Sequence, residues 1–283
     1  MTDSFLVLFG TGLLLMSVLM LLLWLAHFPL KKASIVDVGW GLGMGLLGIS
    51  AATLATGWFP RRLMLGALAG VWGGRLAWHL ATRMLAEAHE DGRYLALRDR
   101  WKTSLPQKFF LFFQAQAVLA TCLCFPFFLI CLNPTPSWTV FDIAGGLLCL
   151  FAVFGESLAD YQLRTFKAIP ANRGSVCDRG LWAWSRHPNY FFEWLIWVGV
   201  AVIALGTKAG AVSILCPLVM LFFLLRVTGI PVTEAWIIRS KGKLYSRYQE
   251  QTSAFVPMPS SVNQWLKAKT QKHGDNRNET DVG

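Results

Sequence analysis

"SRHPNYFFEWLIWVGVAVIAL", Ser185–Leu205, decides the fold class. From Phe191 onward it is apolar except for Glu193, so the run has to bury itself in lipid or in a core. Its start is different in kind. Pro188 suits the first helical position, where a missing N–H costs nothing. Asn189, Tyr190 and Phe191 then offer free backbone N–H groups at the positive end of the helix dipole. Arg186 and His187 stand just outside. A helix start of this composition predicts an anion seat, suited to phosphate or carboxylate, at the mouth of a buried helix. Arg173 and Arg179 on the preceding loop can add guanidinium forks, which match phosphate geometry. The competing reading is an interface anchor, with arginine and histidine among lipid headgroups.

The rest of the chain supplies the setting. Of 283 residues 54% are hydrophobic and 15% charged, and the mean hydropathy is +0.46. That is a membrane composition. With about 20 residues needed per crossing, seven candidate spans emerge, at about 5–28, 35–56, 63–81, 109–132, 138–159, 189–206 and 209–229. The expected fold is an all-α polytopic bundle, because isolated spans must satisfy their backbone internally. The first span lacks a basic leader and reads as a retained helix. One domain is expected over 1–259, with a polar, disordered cytoplasmic tail over 260–283.

A net charge of +10 raises the question of nucleic acid. The distribution points elsewhere. Lys31 and Lys32, six basic residues from Arg83 to Lys108, five from Arg164 to Arg186 and eight from Arg239 to Arg277 fall on one side, 21 in all, against Arg61, Arg62 and Lys208 on the other. This asymmetry predicts N-out and C-in in a cytoplasmic membrane, with membrane lipids rather than nucleic acid as surroundings. The long loops, 82–108 and 160–188, lie on the basic side, so chemistry is expected there. The six scattered cysteines form no paired CxxC with nearby histidines, and no metal site is expected. "GWGLGMG" (Gly39–Gly45) is not GxGxxG and follows no strand. Gly39/Gly43 and Gly41/Gly45 are instead spaced for close helix packing.

Ionisable residues inside spans are costly and count as functional candidates. Arg75, His79 and Arg83 share one helix face, as do Glu156, Asp160 and Arg164. Asp37 starts the second span. Glu193 lies under two turns into the sixth, with Tyr190 and Trp197 on neighbouring positions, and Arg226 and Glu234 follow later. Snorkelling and ion pairing explain any one of them. The set as a whole predicts a polar, partly buried cavity.

"GESLADYQLRTFKA" (Gly155–Ala168), "RGSVCDRGLWAWSRHPNYFFEWLIW" (Arg173–Trp197) and "YSRYQEQTSAFVPMP" (Tyr245–Pro259) resemble the C-terminal half of the steroid 5-alpha-reductase family. With "SIVDVGWGLG" (Ser34–Gly43) and "GGRLAWHLATR…EDGRYLALRDRW" (Gly73–Trp101), they resemble more narrowly its bacterial branch with the DUF1295 domain, over 34–259. The resemblance implies a seven-helix membrane reductase that binds NADPH on the cytoplasmic side and reduces a conjugated double bond in a lipid, such as a 3-oxo-4-ene steroid. It implies that Asp160 binds cofactor, that Asn189 and Glu193 match the asparagine and glutamate entering the sixth helix, and that Arg164 or Lys167 matches a basic residue nearby. The chain departs from the steroid reductases at their second-helix Gln-Glu pair, where Asp37 stands in without the glutamine. Their third-helix tyrosine has no counterpart, and "VTGIPVTEAW" replaces a histidine-rich stretch.

Reducing an enone needs a hydride donor and a proton or hydrogen-bond donor at the carbonyl oxygen, where negative charge develops. A carboxyl group serves at neutral pH only if its pKa is raised. Asp37, Glu156 and Glu193 are the candidate acids. NADPH needs two anion sites: Pro188–Tyr190 with Arg186 can form one, and Arg173 with Arg179, or Arg93 with Arg98, the other. Two alternatives remain. Isoprenylcysteine and phospholipid methyltransferases carry a similar "RHPNY" segment that binds S-adenosylmethionine, with paired glutamates where this chain has only Glu234. A lipid-binding or transport protein could line a path with the same charges.

Overall fold

The structure is a computed structural model and describes residues 2–259 and 261–263. Apart from 261–263, the polar tail expected after Pro259 lies outside the described residues. The chain forms eleven α-helices among the described residues: α1 (Thr2–Leu30), α2 (Ile35–Leu54), α3 (Phe59–Ala86), α4 (Gly92–Trp101), α5 (Leu105–Leu123), α6 (Phe125–Leu132), α7 (Val140–Ala168), α8 (Pro188–Leu205), α9 (Leu215–Phe222), α10 (Ile230–Lys241) and α11 (Lys243–Gln251). No strand occurs among them; one isolated bridge pairs Ser185 with Ser253. Six helical stretches are long and apolar enough to cross a membrane: 3–30, 35–54, 105–132, 140–168, 188–205 and 210–241. The fold is the all-α membrane bundle expected. The third expected span is present as the 28-residue α3, but Arg61, Arg62, Arg75 and Arg83 lower its apolarity.

The chain divides into two compact units, each built from two chain segments. The first comprises 1–151 and 195–220. Its centre is α2, whose glycines serve two neighbours at once. Gly39 and Gly43 face Met20, Leu23 and Met16 on α1, while Gly41 and Gly45 face Ala77 and Ala69 on α3. A methyl group on Gly73 of α3 would stand 2.5 Å from the Gly45 nitrogen and 2.6 Å from the Gly41 carbonyl oxygen. The backbones therefore touch, as small-residue packing requires, and the packing reading of "GWGLGMG" holds. α3 exposes Val71, Trp78 and Leu85, seven residues apart, as an apolar stripe.

Arg61, read from sequence as an outer-loop charge, is 1% exposed. It forks onto both oxygens of Asp142 at 2.8 and 2.9 Å. Its remaining donors reach the carbonyls of Asn133, Thr135 and Ser137. Every donor is engaged, which is the condition under which a buried charge is tolerated. At another corner, Lys32 donates to the Met84 and Glu87 carbonyls that close α3, and Glu90 accepts from the Ala33 and Ser34 amides that open α2. Each helix end is thus capped from the other's loop.

The second unit comprises 152–194 and the chain from 221 on. It holds the last turns of α7, the first turns of α8, and α10 and α11. Two apolar clusters support it: Phe166, Cys177 and Trp182 with Leu163, and Leu224, Ile230 and Phe255 with Tyr190, Phe191 and Trp194. The loop between α7 and α8 is folded. Trp182 donates its indole N–H to the Ala159 carbonyl at 2.9 Å. The Gln162 side chain accepts from the Leu181 amide at 2.9 Å beneath Gly180, whose φ of +58° favours glycine. The segment after α11 is fastened to the same loop: Arg186 N–H to the Ser253 carbonyl, Met258 N–H to Trp184, and Ser185 Oγ to Phe255.

Candidate functional site

In the second unit α7 and α8 run side by side, and Gly155 admits the ring of Phe192 where a Cβ would collide. One turn nearer the connecting loop, Asn189 Nδ2 donates to Asp160 Oδ1 at 3.3 Å. Asn189 Oδ1 is buried and has no hydrogen-bond partner among the described residues. One turn the other way, on the same faces, stand Glu156 and Glu193, 3% and 9% exposed. Four of the sequence candidates therefore lie on two adjoining helix faces.

The turn before α8 is not the open anion seat that its composition suggests. Arg186 forks onto Glu234 at 2.6 and 3.2 Å and donates its other terminal nitrogen to the Gln249 and Thr252 carbonyls. His187 Nε2 meets Glu234 at 3.1 Å, and its ring stacks on Tyr190 with centroids 5.3 Å apart. Tyr245 and Gln249 also donate to Glu234. The anion at this seat is the protein's own. An acid 48 residues away in sequence answers the arginine, and no local pattern announces it. Burial lowers the His187 pKa against the pull of Glu234, with Arg186 acting in the same direction as burial. Tyr190 meets Thr233 at 3.2 Å.

The basic residues further back fare differently. Lys167 and Arg173 line one cleft of about 210 Å³, with Leu163, Phe166, Asn172 and Lys241 among the other walls. Burial raises the pKa of Cys177, which also lines the cleft, so its thiol adds no negative charge. Lys241 was not expected from sequence. It ends α10, 68 residues from Arg173 in sequence, and only the fold carries it here. Arg164 lies over the Tyr161 ring and Arg179 over Phe166, at 5.8 and 5.7 Å. Arg164 and Arg179 do not line the cleft with Lys167 and Arg173.

Asp37, Arg93 and Arg98 belong to the first unit. Asp37 accepts from Arg93 and from the Tyr94 hydroxyl, both at 2.6 Å. Arg93 also binds Asp91, and Arg98 lies over Phe109, 3.7 Å from Glu90. This gives the surroundings of three expected site residues. Arg93 and Arg98 face the protein's own acids rather than an open anion site. Asp37 is held as an acceptor by a guanidinium and a phenol. Burial, then the Asp37 charge, push the Tyr94 phenol well above its ordinary pKa. On α3, the Nε and Nη2 atoms of Arg75 are buried, His79 is half-buried, and the Arg83 side chain is 40% exposed beside Asp91.

A family model described as a protein of unknown function, DUF1295, matches residues 23–252. No curated protein and no solved structure matches the chain.

Proposed function

Since the chain belongs to the DUF1295 family, we propose that it is a membrane-embedded, NADPH-dependent reductase of a conjugated carbon–carbon double bond in a lipid or steroid-like substrate. The observation that carries this reading is the Asp160–Asn189 pair. Its amide nitrogen is spent on Asp160, and its buried Oδ1 has no partner among the described residues. An acceptor kept in that state costs about 1–3 kcal/mol unless a ligand donor meets it. The carboxamide N–H of a nicotinamide is such a donor, so the residues present fit the group. Asn189 and Asp160 would hold it, and Lys167 and Arg173 lie toward the phosphate end.

NADPH, when bound, supplies the hydride. The chain's part is to hold the enone beside it, to exclude water and to place a proton. Glu156 and Glu193 are the acids on the same two helices. A proton held on either carboxyl and presented to the carbonyl oxygen stabilises the charge that develops there. Six helices long and apolar enough to cross a membrane support a membrane setting for this chemistry, proposed to be the bacterial inner membrane with the cofactor side cytoplasmic.

Titration of the purified protein with NADPH and with S-adenosylmethionine tests the reading. Tight NADPH binding, weakened at least tenfold by Asn189→Leu, is the expected result. Binding of S-adenosylmethionine with none of NADPH would replace the reductase by a methyltransferase.

A further inference from the structure

The last apolar stretch, 210–241, is 32 residues long, whereas one crossing needs about 20. Its closing 12 residues are α10. A wider π-helical turn, Phe223–Val227, and then Gly229 set α10 off from what precedes it. α10 has two unlike faces. Ile230, Glu234, Ile237 and Lys241, at i, i+4, i+7 and i+11, share the inner one. Ile230 joins the cluster of Leu224 and Phe255, Glu234 takes Arg186, and Lys241 donates to the Ser175 carbonyl. Val232, Ala235, Trp236 and Arg239, at i, i+3, i+4 and i+7, stand on the opposite side. Ala235, Trp236 and Arg239 are exposed, the indole by 49%.

α11 repeats this arrangement. Tyr245 is buried on Glu234 and Tyr248 on the Trp182 carbonyl, so Lys243, Leu244 and Arg247 are left outside. The exposed charges of the two helices are Arg239, Lys243 and Arg247 against Glu250. The inward bonds of Glu234, Tyr245 and Tyr248 fix the direction in which this outer surface points.

The surface is thus cationic, carries an indole and a leucine, and follows directly on an apolar stretch long enough to cross a membrane. Indole rings settle at the level of lipid headgroups. Lysine and arginine beside a membrane-spanning helix gain from a negatively charged leaflet. The chain is already tethered to the bilayer, so lipid is present at high effective concentration and no second association has to be made. We propose that α10 and α11 form an interfacial platform for anionic phospholipid headgroups. Trp236 and Leu244 enter the headgroup layer, and Arg239, Lys243 and Arg247 meet the lipid phosphates. The proposal does not rest on the reductase reading.

The test is hydrogen exchange of the full-length protein in nanodiscs of phosphatidylcholine alone and of phosphatidylcholine mixed with phosphatidylglycerol. Amides of α10 and α11 exchange through local opening, and docking on lipid has to be undone first. The expected result is exchange about 5- to 100-fold slower over these helices in the anionic discs, at about fivefold per cation. High salt should abolish the difference. So should the triple variant Arg239→Gln, Lys243→Gln, Arg247→Gln, whose changes are all on exposed residues. Trp236→Ser should speed exchange in both kinds of disc and preserve the difference between them. If the triple variant melts early, the salt dependence of the wild-type protein decides. Equal exchange in the two kinds of disc, or a difference that survives high salt, overturns the inference. Protection that appears only in discs holding two copies of the chain also overturns it, and assigns this surface to a contact between copies.

Discussion

Two residues show how differently a buried charge can be used. Arg61 has every donor answered by Asp142 and three carbonyls, so its role is to hold the 133–139 segment against α3 and α7. Removing one partner of such a pair strands the other charge. Arg61→Ala should therefore destabilise the protein by about 3–5 kcal/mol, read as a fall in Tm, with NADPH affinity in the remaining folded protein unchanged. His187 has a pH consequence. Its folded pKa lies below the ordinary 6.5, so the unfolded chain takes up the proton first. The stability it contributes is complete above that value and falls as pH drops below about 6.5, until the folded form is protonated as well. His187→Gln keeps a nitrogen donor for Glu234 and does not titrate. Thermal denaturation at pH 7.5 and 5.5 should show a smaller loss in the variant than in wild type. An equal loss would mean that other groups carry the pH dependence.

At the scale of elements, the tightest joint is α2 against α3. Gly73 meets the α2 backbone at both Gly41 and Gly45, whereas Gly74, its neighbour, has nothing within 4 Å of a built Cβ. Gly73→Ala should cost about 1–3 kcal/mol through overpacking. Gly74→Ala should be neutral or gain up to about 1 kcal/mol from the helix-propensity difference. The comparison needs only the two melting curves, and similar shifts would show that the helices are not in backbone contact. The glycine spacing of α2 was legible in the sequence because small residues four apart have one common use between apolar helices. The partner of Arg186 was not, because a helix start with free N–H groups and a basic pair attracts any carboxylate, including one from α10.

For the whole molecule, the charge distribution predicts that the C-terminal end faces the cytoplasm. A reporter fused after Pro259 should be active there only. Activity on the opposite side would remove the cytoplasmic cofactor supply on which the proposed reaction depends. The exposed apolar stripe of α3, with Trp78 at 70%, and the exposed Leu147, Phe151 and Phe154 of α7 are the surfaces such a chain presents to lipid. Cysteine labelling at these positions in membranes should be slow with charged reagents.

The sequence by itself determined the membrane class, the long apolar helices and the glycine seam of α2, but not α4, α10 or α11. These follow from local composition and periodicity, and a membrane leaves the backbone few alternatives. Four-residue spacing also put Glu156 and Asp160 on one helix face, whereas Asn189 and Glu193 were paired only by the family resemblance. Only the tertiary structure decided which charges are spent and which are gathered. Glu234 takes Arg186 and His187, Asp37 takes Arg93 and Tyr94, and Lys241 joins Lys167 and Arg173. Each of those pairings spans dozens of residues, and Coulomb attraction or repulsion depends on distance in space, which no spacing along the chain records.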